Sequence, residues 1–295
     1  MTRIRYISSS GAELVLGEGR LKILKVEGLE APPFTVRVTN GALQEGSIAL
    51  TASRGPRKIS IDAALNLEGL DEAESQDARK SIGESLAGND GEGTLIVNRS
   101  GRERRIGAVP TNAPCFKDKR WSETWEQLSM QFLCPMPCFT DMESKVTEVR
   151  YYASLLSIPE EGIEFPEEGI EFSTIEHSGT RTKLILNPGN HESPVRIRFT
   201  GPVANPSIRN ITTDEMMRVF GVLAQGEYVE VNTEPGKRKI TLFRQGIESN
   251  GLHYLDLESR FWQLKPGENL IEIGDESPGE GSEAAFEFCG RYLEA

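Results

Sequence analysis

The sequence has few of the side chains on which enzymes and metalloproteins most often depend. It holds three histidines and four cysteines in 295 residues. It contains no G-x-S-x-G elbow, P-loop, H-E-x-x-H pair or dinucleotide-binding glycine fingerprint. These absences exclude the best-known serine hydrolase, nucleotide-binding and zinc-peptidase motifs, and they direct attention to non-catalytic functions.

Long apolar runs are also missing. No run approaches the roughly 20 residues that a membrane-spanning helix needs. The first residues, MTRIRYISSSGAELVLGEG, lack the apolar core of a signal peptide. Four cysteines are too few for a disulfide scaffold in a chain of this size. We therefore expect reduced thiols in a cytoplasmic environment, no export through a standard signal and no membrane partner.

The charge is unevenly distributed along the chain. Residues 1–145 carry 19 Lys and Arg against 20 Asp and Glu, whereas residues 146–295 carry 14 against 25. Non-specific nucleic-acid binding requires a continuous basic surface, which the acidic second half does not provide. This half favours solubility, and it is also compatible with a surface past which nucleic acid slides without binding.

The first half is predicted to be rich in strands, with one helix. Short segments with apolar residues at every second position are divided by Gly, Pro and Asn, and FTVRVT, residues 34–39, is predicted to be a half-buried strand. The helix is predicted from about Glu72 to Ala87, with Asp71 and Glu74 as a capping box. Next comes a hairpin with its turn at residues 98–101, which carries four arginines: Arg99, Arg102, Arg104 and Arg105. A long strand follows around residues 125–132 and ends before two prolines.

The second half is predicted to be a two-sheet β-sandwich. About eight short alternating strands follow one another with little helix, and in VRIRF the side chains of Arg196 and Arg198 face outward. Before them the heptapeptide PEEGIEF occurs twice, at residues 159–172. Two copies are too few for a solenoid, so we interpret them as a local duplication in a connector. We therefore expect a mainly β fold with two domains, an α+β domain at 1–145 and a β-sandwich at 146–295.

Candidate reactive groups are sparse. Cys134 and Cys138 stand at C-x3-C spacing with Cys115 upstream, but the nearest histidine is distant in sequence, which disfavours zinc and favours buried thiols. The three histidines adjoin turn signals and are expected at the surface. Asp256 and Glu258, placed on one predicted strand face, are the best candidate pair for glycosidase chemistry. We therefore predict no catalytic, cofactor-binding or metal-binding residues and no cofactor.

The region between Asn187 and Ile273 resembles the siphovirus-type tail components, the distal tail proteins of phages and prophages of Gram-positive bacteria. The family pattern, G…NP.I.N.TT followed by L..G..V.V.T, K..TL and S.FW.L.PG.N.I, falls on Gly201, Asn205, Pro206, Ile208, Asn210, Thr212, Thr213, Gly226, Thr233, Ser259, Phe261, Trp262, Pro266, Gly267 and Asn269.

This resemblance implies a structural function. Such proteins form a ring of six between the tail tube and the tail tip or baseplate, with the first domain making the ring and a galectin-like sandwich projecting outward. The implied partners are further copies of the chain, the tail tube protein, the tape-measure protein and tail-tip proteins, and DNA passes through the lumen without specific binding. The chain would then be a virion component and not an enzyme.

Two alternatives remain open from the residues. A carbohydrate-binding module that recognises host cell-wall saccharides would use aromatic platforms, for which the candidates are Tyr151, Tyr152, Phe261 and Trp262. A glycoside hydrolase would use the acid pair at residues 256 and 258. The arginine-rich hairpin is either a solvated turn or a contact for the acidic half of a neighbouring copy.

Overall fold

The computed structural model describes residues 2–41, 45–87, 91–116, 124–150, 182–274 and 283–295. The duplicated heptapeptide, Tyr151, Tyr152 and His177 lie outside these ranges. The chain forms two compact units. Unit 1 comprises Met1–Met142 and Arg291–Ala295, and unit 2 comprises Glu143–Gly290.

Unit 1 is a β structure with one helix. Its elements up to residue 141 are β1 (Arg3–Ile7), β2 (Glu13–Leu16), β3 (Leu21–Glu27), β4 (Phe34–Thr39), β5 (Ile48–Arg54), β6 (Arg57–Asn66), α1 (Glu72–Ser85), β7 (Gly93–Arg99), β8 (Arg102–Pro110), β9 (Cys115–Phe116), β10 (Trp125–Cys134) and β11 (Phe139–Asp141). The main path of strands is β2-β1-β7-β8-β10-β6-β3, and β4 pairs with β5 in a separate ribbon.

Unit 2 is built from two main antiparallel sheets. Its elements are β12 (Lys145–Arg150), β13 (Thr182–Asn187), β14 (Ser193–Thr200), β15 (Val203–Ala204), β16 (Ser207–Asn210), β17 (Glu215–Arg218), β18 (Val222–Leu223), β19 (Tyr228–Asn232), β20 (Lys239–Arg244), β21 (Ile247–Asn250), a 3-10 helix (Leu252–Tyr254), β22 (Gln263–Leu264), β23 (Gly267–Gly274) and β24 (Glu283–Phe288). One sheet has the order β12-β24-β14-β19-β20-β21, and the other has the order β13-β23-β16-β17.

The last strand, β25 (Arg291–Tyr292), pairs with β11 and therefore belongs to unit 1. The sequence-based division placed residues 146–295 in the second domain but left open whether the last segment stays there, and residues 291–295 belong to unit 1. Strand β24 stays in unit 2, where it lies between β12 and β14. The chain thus leaves unit 1 once and returns to it.

Each unit has its own apolar core, formed by the alternating residues of its strands. In unit 1 the fully buried side chains include Ile4, Tyr6, Leu16, Ile59, Ile61, Leu95, Leu128 and Phe132. In unit 2 they include Ile197, Phe199, Val229, Val231, Ile271 and Phe286. The predicted fold class, mainly β with one helix in the first half and a sandwich in the second, is confirmed.

The predicted helix is confirmed, although it ends at Ser85. Asp71 accepts a hydrogen bond from the backbone N–H of Glu74, and the Glu74 carboxylate accepts one from the backbone N–H of Asp71. This capping box satisfies two N–H groups that the first helical turn leaves without partners. Ile82 and Leu86 are buried against the core of unit 1. Helix α1 is neither long nor apolar enough to cross a bilayer, and the same holds for every described helix.

Candidate functional site

The acid pair that the sequence offered for hydrolysis is not arranged for it. Asp256 and Glu258 follow the 3-10 helix instead of sharing a strand face. The Asp256 carboxylate accepts a hydrogen bond from the backbone N–H of Glu258, and its backbone carbonyl accepts one from Ser259. The Asp256 carboxylate therefore stabilises a local turn. Across the described ranges, no three His, Cys, Asp or Glu residues stand close enough to hold a metal ion.

The thiols are divided between core and surface. Cys134 and Cys138 are buried in unit 1, as expected, whereas Cys115 is exposed and Cys289 is intermediate. Burial raises the pKa of Cys134 to about 12, and the nearby Arg57 only partly opposes this shift. Burial likewise raises the pKa of Cys138. Both thiols are therefore protonated and poorly nucleophilic at neutral pH. The histidines also differ, since His253 is exposed and His191 is half-buried.

The aromatic side chains proposed as sugar platforms are largely inside the protein. Trp262 is 2% exposed and belongs to the core of unit 2. Phe261 is half-buried against the same core, and the guanidinium of Arg238 lies 5.4 Å from its ring centroid. Trp262 therefore presents no open face of the kind that a pyranose stacks on. Tyr151 and Tyr152 fall outside the described residues, so that part of the prediction is untested.

Several polar residues of the family pattern hold backbone together in unit 2. Asn210 and Asn269 are fully buried, and the Asn210 amide nitrogen donates to the Asn269 carbonyl oxygen at 3.3 Å. Asn269 also accepts from the backbone N–H of Lys265 and donates to the carbonyls of Lys265 and Gly267. Thr212 accepts from the backbone N–H of Leu270 at 2.9 Å. These bonds satisfy backbone groups where strands end, and an unsatisfied buried group would be costly.

Other positions of the pattern act in the same way. Ser259 accepts from the backbone N–H of Arg218, and the hydroxyl of the buried Thr233 accepts from the N–H of Val195. Asn205 has a positive φ of 49°, and its side chain accepts from the backbone N–H of Gly221. The residues that carry the resemblance therefore specify the fold of unit 2 and form no reactive cluster.

Unit 1 carries an exposed two-stranded ribbon, β4–β5. Every residue of both strands is exposed. The large apolar side chains are Phe34 at 58%, Val36 at 44%, Val38 at 58%, Ile48 at 51% and Leu50 at 61% exposure. Phe34, Val36 and Val38 share one face, and Ala52 lies opposite Val36 on it. The predicted strand at 34–39 is confirmed, but its predicted half-burial is wrong.

A groove runs along the edge strand β3 of the same unit. Within the described chain β3 pairs along its length only with β6, and its register shifts between Ile23 and Lys25. The groove has a volume of about 660 Å³. Its lining includes Ile23, Leu24 and Val26 together with charged residues of both signs. Such an edge offers backbone groups and apolar side chains to another strand.

The arginine-rich hairpin is confirmed, with its two-residue turn at Ser100 and Gly101, both at positive φ. Two of its arginines have side-chain contacts within unit 1. Arg99 forms an ion pair with Glu30 at 3.1 Å. The Arg104 guanidinium lies 3.6 Å from the ring centroid of Tyr292 and donates to the carbonyl of Glu294. The hairpin thus helps to bind the C-terminal residues to unit 1.

Comparisons with known proteins agree with this geometry. Residues 188–292 match the family model described as Siphovirus-type tail component, C-terminal domain. No curated protein matches the sequence. Among solved structures, the chain is similar to the Dit protein of phage SPP1, described as a paradigm of the hub adsorption apparatus in phages that infect Gram-positive bacteria. The match has a TM-score of 0.68 and 12% identity, and it covers 99% of both chains.

A second similar structure is a chain of the phage p2 baseplate in its activated conformation with Sr. This match has a TM-score of 0.54 and 11% identity, and it covers 98% of both chains. The resemblance predicted from the sequence is therefore confirmed: residues 188–292 match the siphovirus-type tail component family, and the chain shares the fold of the distal tail protein Dit.

Proposed function

We propose that the chain is a structural distal tail protein of a phage or prophage, a hub that oligomerises into a ring and joins the tail tube to the tail tip or baseplate. The family match over residues 188–292 and the fold shared with the SPP1 hub protein support this proposal. The hub acts through surfaces and has no catalytic role. Its location is the virion, after synthesis in the bacterial cytoplasm.

The observation that carries the proposal is the exposed ribbon β4–β5. An isolated two-stranded ribbon is at best marginally stable in water. This ribbon also leaves the apolar face formed by Phe34, Val36 and Val38 open to solvent. An exposed apolar face of this kind marks an interaction surface. The ribbon therefore acquires its stability when a partner covers that face.

A second copy of the chain fits as that partner. The ribbon projects apolar side chains, and the groove along β3 receives them with Ile23, Leu24 and Val26. Both surfaces belong to unit 1, so each copy can present its ribbon to one neighbour and its groove to another. Contacts between two different surfaces of identical subunits generate rings when the rotation closes. Six copies would form the ring, and the tail tube, tape-measure and tail-tip proteins would be its further partners.

The test compares the oligomeric state of the full chain with that of matched variants. Val36→Asp places a charge on the apolar face of the ribbon, and Val222→Asp makes the same change at an exposed position of unit 2. We expect native mass spectrometry and electron microscopy to show rings for the unmodified chain and for Val222→Asp. Val36→Asp should remain monomeric with unchanged folding.

Assembly is also measured with the tail tube protein encoded by the same phage or prophage, because a ring can require the tube as a template. A chain that stays monomeric at high concentration and does not join that tube protein would contradict the proposal. Rings that persist in the Val36→Asp variant would instead contradict the role of the ribbon.

A further inference from the structure

The outward face of the sheet β12-β24-β14-β19-β20-β21 carries polar side chains in rows across neighbouring strands. Arg196 lies opposite Asn232 on one side and Glu287 on the other, and Asn232 lies opposite Lys239. Arg198 lies opposite Glu230 in the next row. These residues alternate with buried core residues along each strand, so the rows lie on one surface of unit 2.

An ion-pair network fixes the two arginines. Glu230 contacts both guanidinium groups, with its Oε1 atom 3.5 Å from Nε of Arg196 and its Oε2 atom 2.7 Å from Nη2 of Arg198. Arg196 also contacts Glu287 at 3.3 Å. About half of each arginine side chain is exposed, at 51% and 50%, whereas the Glu230 side chain is only 22% exposed. The Glu230 carboxylate thus orients both guanidinium groups. Each guanidinium has five N–H donors, and its contacts with the glutamates leave some of these donors available to a ligand.

The next row of this face, after those of Arg196 and Arg198, contains the aromatic residues Tyr228 and Phe243. The Arg198 guanidinium lies 4.6 Å from the ring centroid of Tyr228, and Tyr228 stacks on Phe243 with ring centroids 4.8 Å apart. The Tyr228 hydroxyl donates a hydrogen bond to the carboxylate of Glu248 at 3.3 Å. The glutamates and the stacked rings restrict the positions of Arg198 and Tyr228 before any ligand arrives.

This surface is concave and electrically balanced. The concavity has a volume of about 340 Å³, which is within the range of small-ligand sites. Its cationic residues are Arg196, Arg198, Lys237 and Lys239, and the carboxylates that line it or pair with these cations are Glu230, Glu234, Glu248 and Glu287. Polyanions require a net positive surface, so this balance does not favour nucleic acid or an acidic polymer.

The chemistry of the surface matches a neutral ligand with many hydroxyl groups. Each hydroxyl both donates and accepts, and the surface offers guanidinium and ammonium donors beside carboxylate and amide acceptors such as Asn232. Hydrogen bonds to charged groups are stronger than those between neutral groups. Because the ion pairs already restrict the guanidinium groups of Arg196 and Arg198, less side-chain entropy is lost when a ligand binds. We propose that this face of unit 2 binds a neutral saccharide through Arg196, Arg198 and Glu230.

The proposal differs from the saccharide hypothesis that the sequence suggested. That hypothesis used Phe261 and Trp262 as stacking platforms, and these rings are half-buried and buried. Here the recognition is by hydrogen bonds from a sheet face. The proposal is also independent of the ring, because every residue it uses lies in unit 2.

The test uses the full chain and defined probes. Saturation-transfer NMR and isothermal titration are carried out with the methyl glycosides of glucose, galactose, rhamnose and N-acetylglucosamine, and with methyl glucuronide as the anionic comparison. We expect at least one neutral glycoside to bind with a dissociation constant of about 1 mM, the range expected of a small ligand with few contacts. Arg198→Ala and Glu230→Gln should weaken this binding by about tenfold or more, since each removes charged hydrogen bonds or the group that orients them.

Two controls locate the effect. Arg209→Ala removes an exposed arginine that pairs with Asp214 on the other sheet of unit 2, and its binding should equal that of the unmodified chain. Val36→Asp, which is expected to prevent ring formation, should also leave glycoside binding unchanged. Arg198→Lys keeps the charge and loses the planar fork, so it should weaken binding nearly as much as Arg198→Ala if directional hydrogen bonds are responsible.

Several outcomes would overturn the proposal. No binding of any neutral glycoside at tens of millimolar probe would do so, as would binding of methyl glucuronide alone. Neutral binding that survives both Arg198→Ala and Glu230→Gln would place the site elsewhere. Thermal denaturation of each variant checks folding, and both positions are at the surface, so a loss of binding without a change in melting temperature would support the proposal.

Discussion

Arg57 provides the sharpest test of how unit 1 is held together. Its side chain is 3% exposed, and its guanidinium donates hydrogen bonds to the backbone carbonyls of Gly28, Glu30, Pro137 and Leu293. It also lies 4.8 Å from the ring centroid of Phe139. Desolvation by burial lowers the pKa of Arg57 below its ordinary value. Arg57 thus connects its own strand, β6, to three other segments of unit 1, including the C-terminal residues.

Replacing Arg57 by methionine removes the donors and keeps an unbranched side chain. If each of the four abandoned carbonyls costs about 1 kcal/mol, at the low end for buried groups, unit 1 loses about 4 kcal/mol of stability. A urea dependence of about 2 kcal/mol per molar, typical for a domain of this size, converts this loss into a shift of about 2 M in the midpoint. Such a loss is a large fraction of the stability of an ordinary domain.

The assay separates the two units by fluorescence. In a Trp262→Phe background the remaining tryptophans lie in the first half of the chain, and in a background with Trp121 and Trp125 replaced by phenylalanine only Trp262 of unit 2 remains. Urea unfolding is followed in both backgrounds. We expect Arg57→Met to lower the midpoint of unit 1 and to leave the transition of unit 2 unchanged.

Arg20 provides the matched control. Its guanidinium also donates to two backbone carbonyls of unit 1, those of Asn66 and Glu68, but these bonds are exposed. Water replaces exposed hydrogen bonds at little cost, so Arg20→Met should change the midpoint only slightly. The reasoning would be refuted if Arg57→Met lowered the stability of unit 1 by no more than Arg20→Met does.

Two further predictions concern buried side chains. Because burial raises the pKa of Cys134 from 9.0 to about 12, the unfolded chain ionises first, and unit 1 should lose stability as the pH rises from about 9 towards 12. Urea midpoints at several alkaline pH values should fall less steeply for Cys134→Ala, and an unchanged slope would contradict this linkage. Trp262→Ala should destabilise unit 2 by about 3–5 kcal/mol by leaving a cavity, whereas Trp262→Phe should cost less because Nε1 has no hydrogen-bond partner among the described residues. Thermal denaturation checks both variants, and a Trp262→Ala variant that melts normally while losing saccharide binding would favour the stacking hypothesis instead.

The elements that depend on residues close together in sequence were the most predictable part of the fold. The capping box at Asp71 and Glu74 and the apolar positions of α1 depend on residues close in sequence, and the helix was placed to within two residues. The strands of both units were predicted for the same reason, since alternation is visible within a single segment. The outward positions of Arg196 and Arg198 also followed from alternation, but their common contact with Glu230 required the pairing of β14 with β19.

The errors occurred where the environment of a residue is determined by distant or absent partners. The alternation at residues 34–39 is that of a half-buried strand, yet within this chain the apolar side chains of β4 are exposed. Trp262 was interpreted as a possible surface ring because its burial depends on strands far away in sequence. The return of β25 to β11 joins residues about 150 positions apart, and no local pattern indicates that pairing.

The path of the chain also makes unit 2 an insertion within unit 1. Its entry and exit are side by side, because Lys145 at the start of β12 lies opposite Phe288 at the end of β24. Any folded module whose own ends lie adjacent could occupy the same place without disturbing the core of unit 1, which is closed by Arg57 and β25. Lineages carrying this scaffold would then be free to exchange the inserted module by recombination while retaining unit 1.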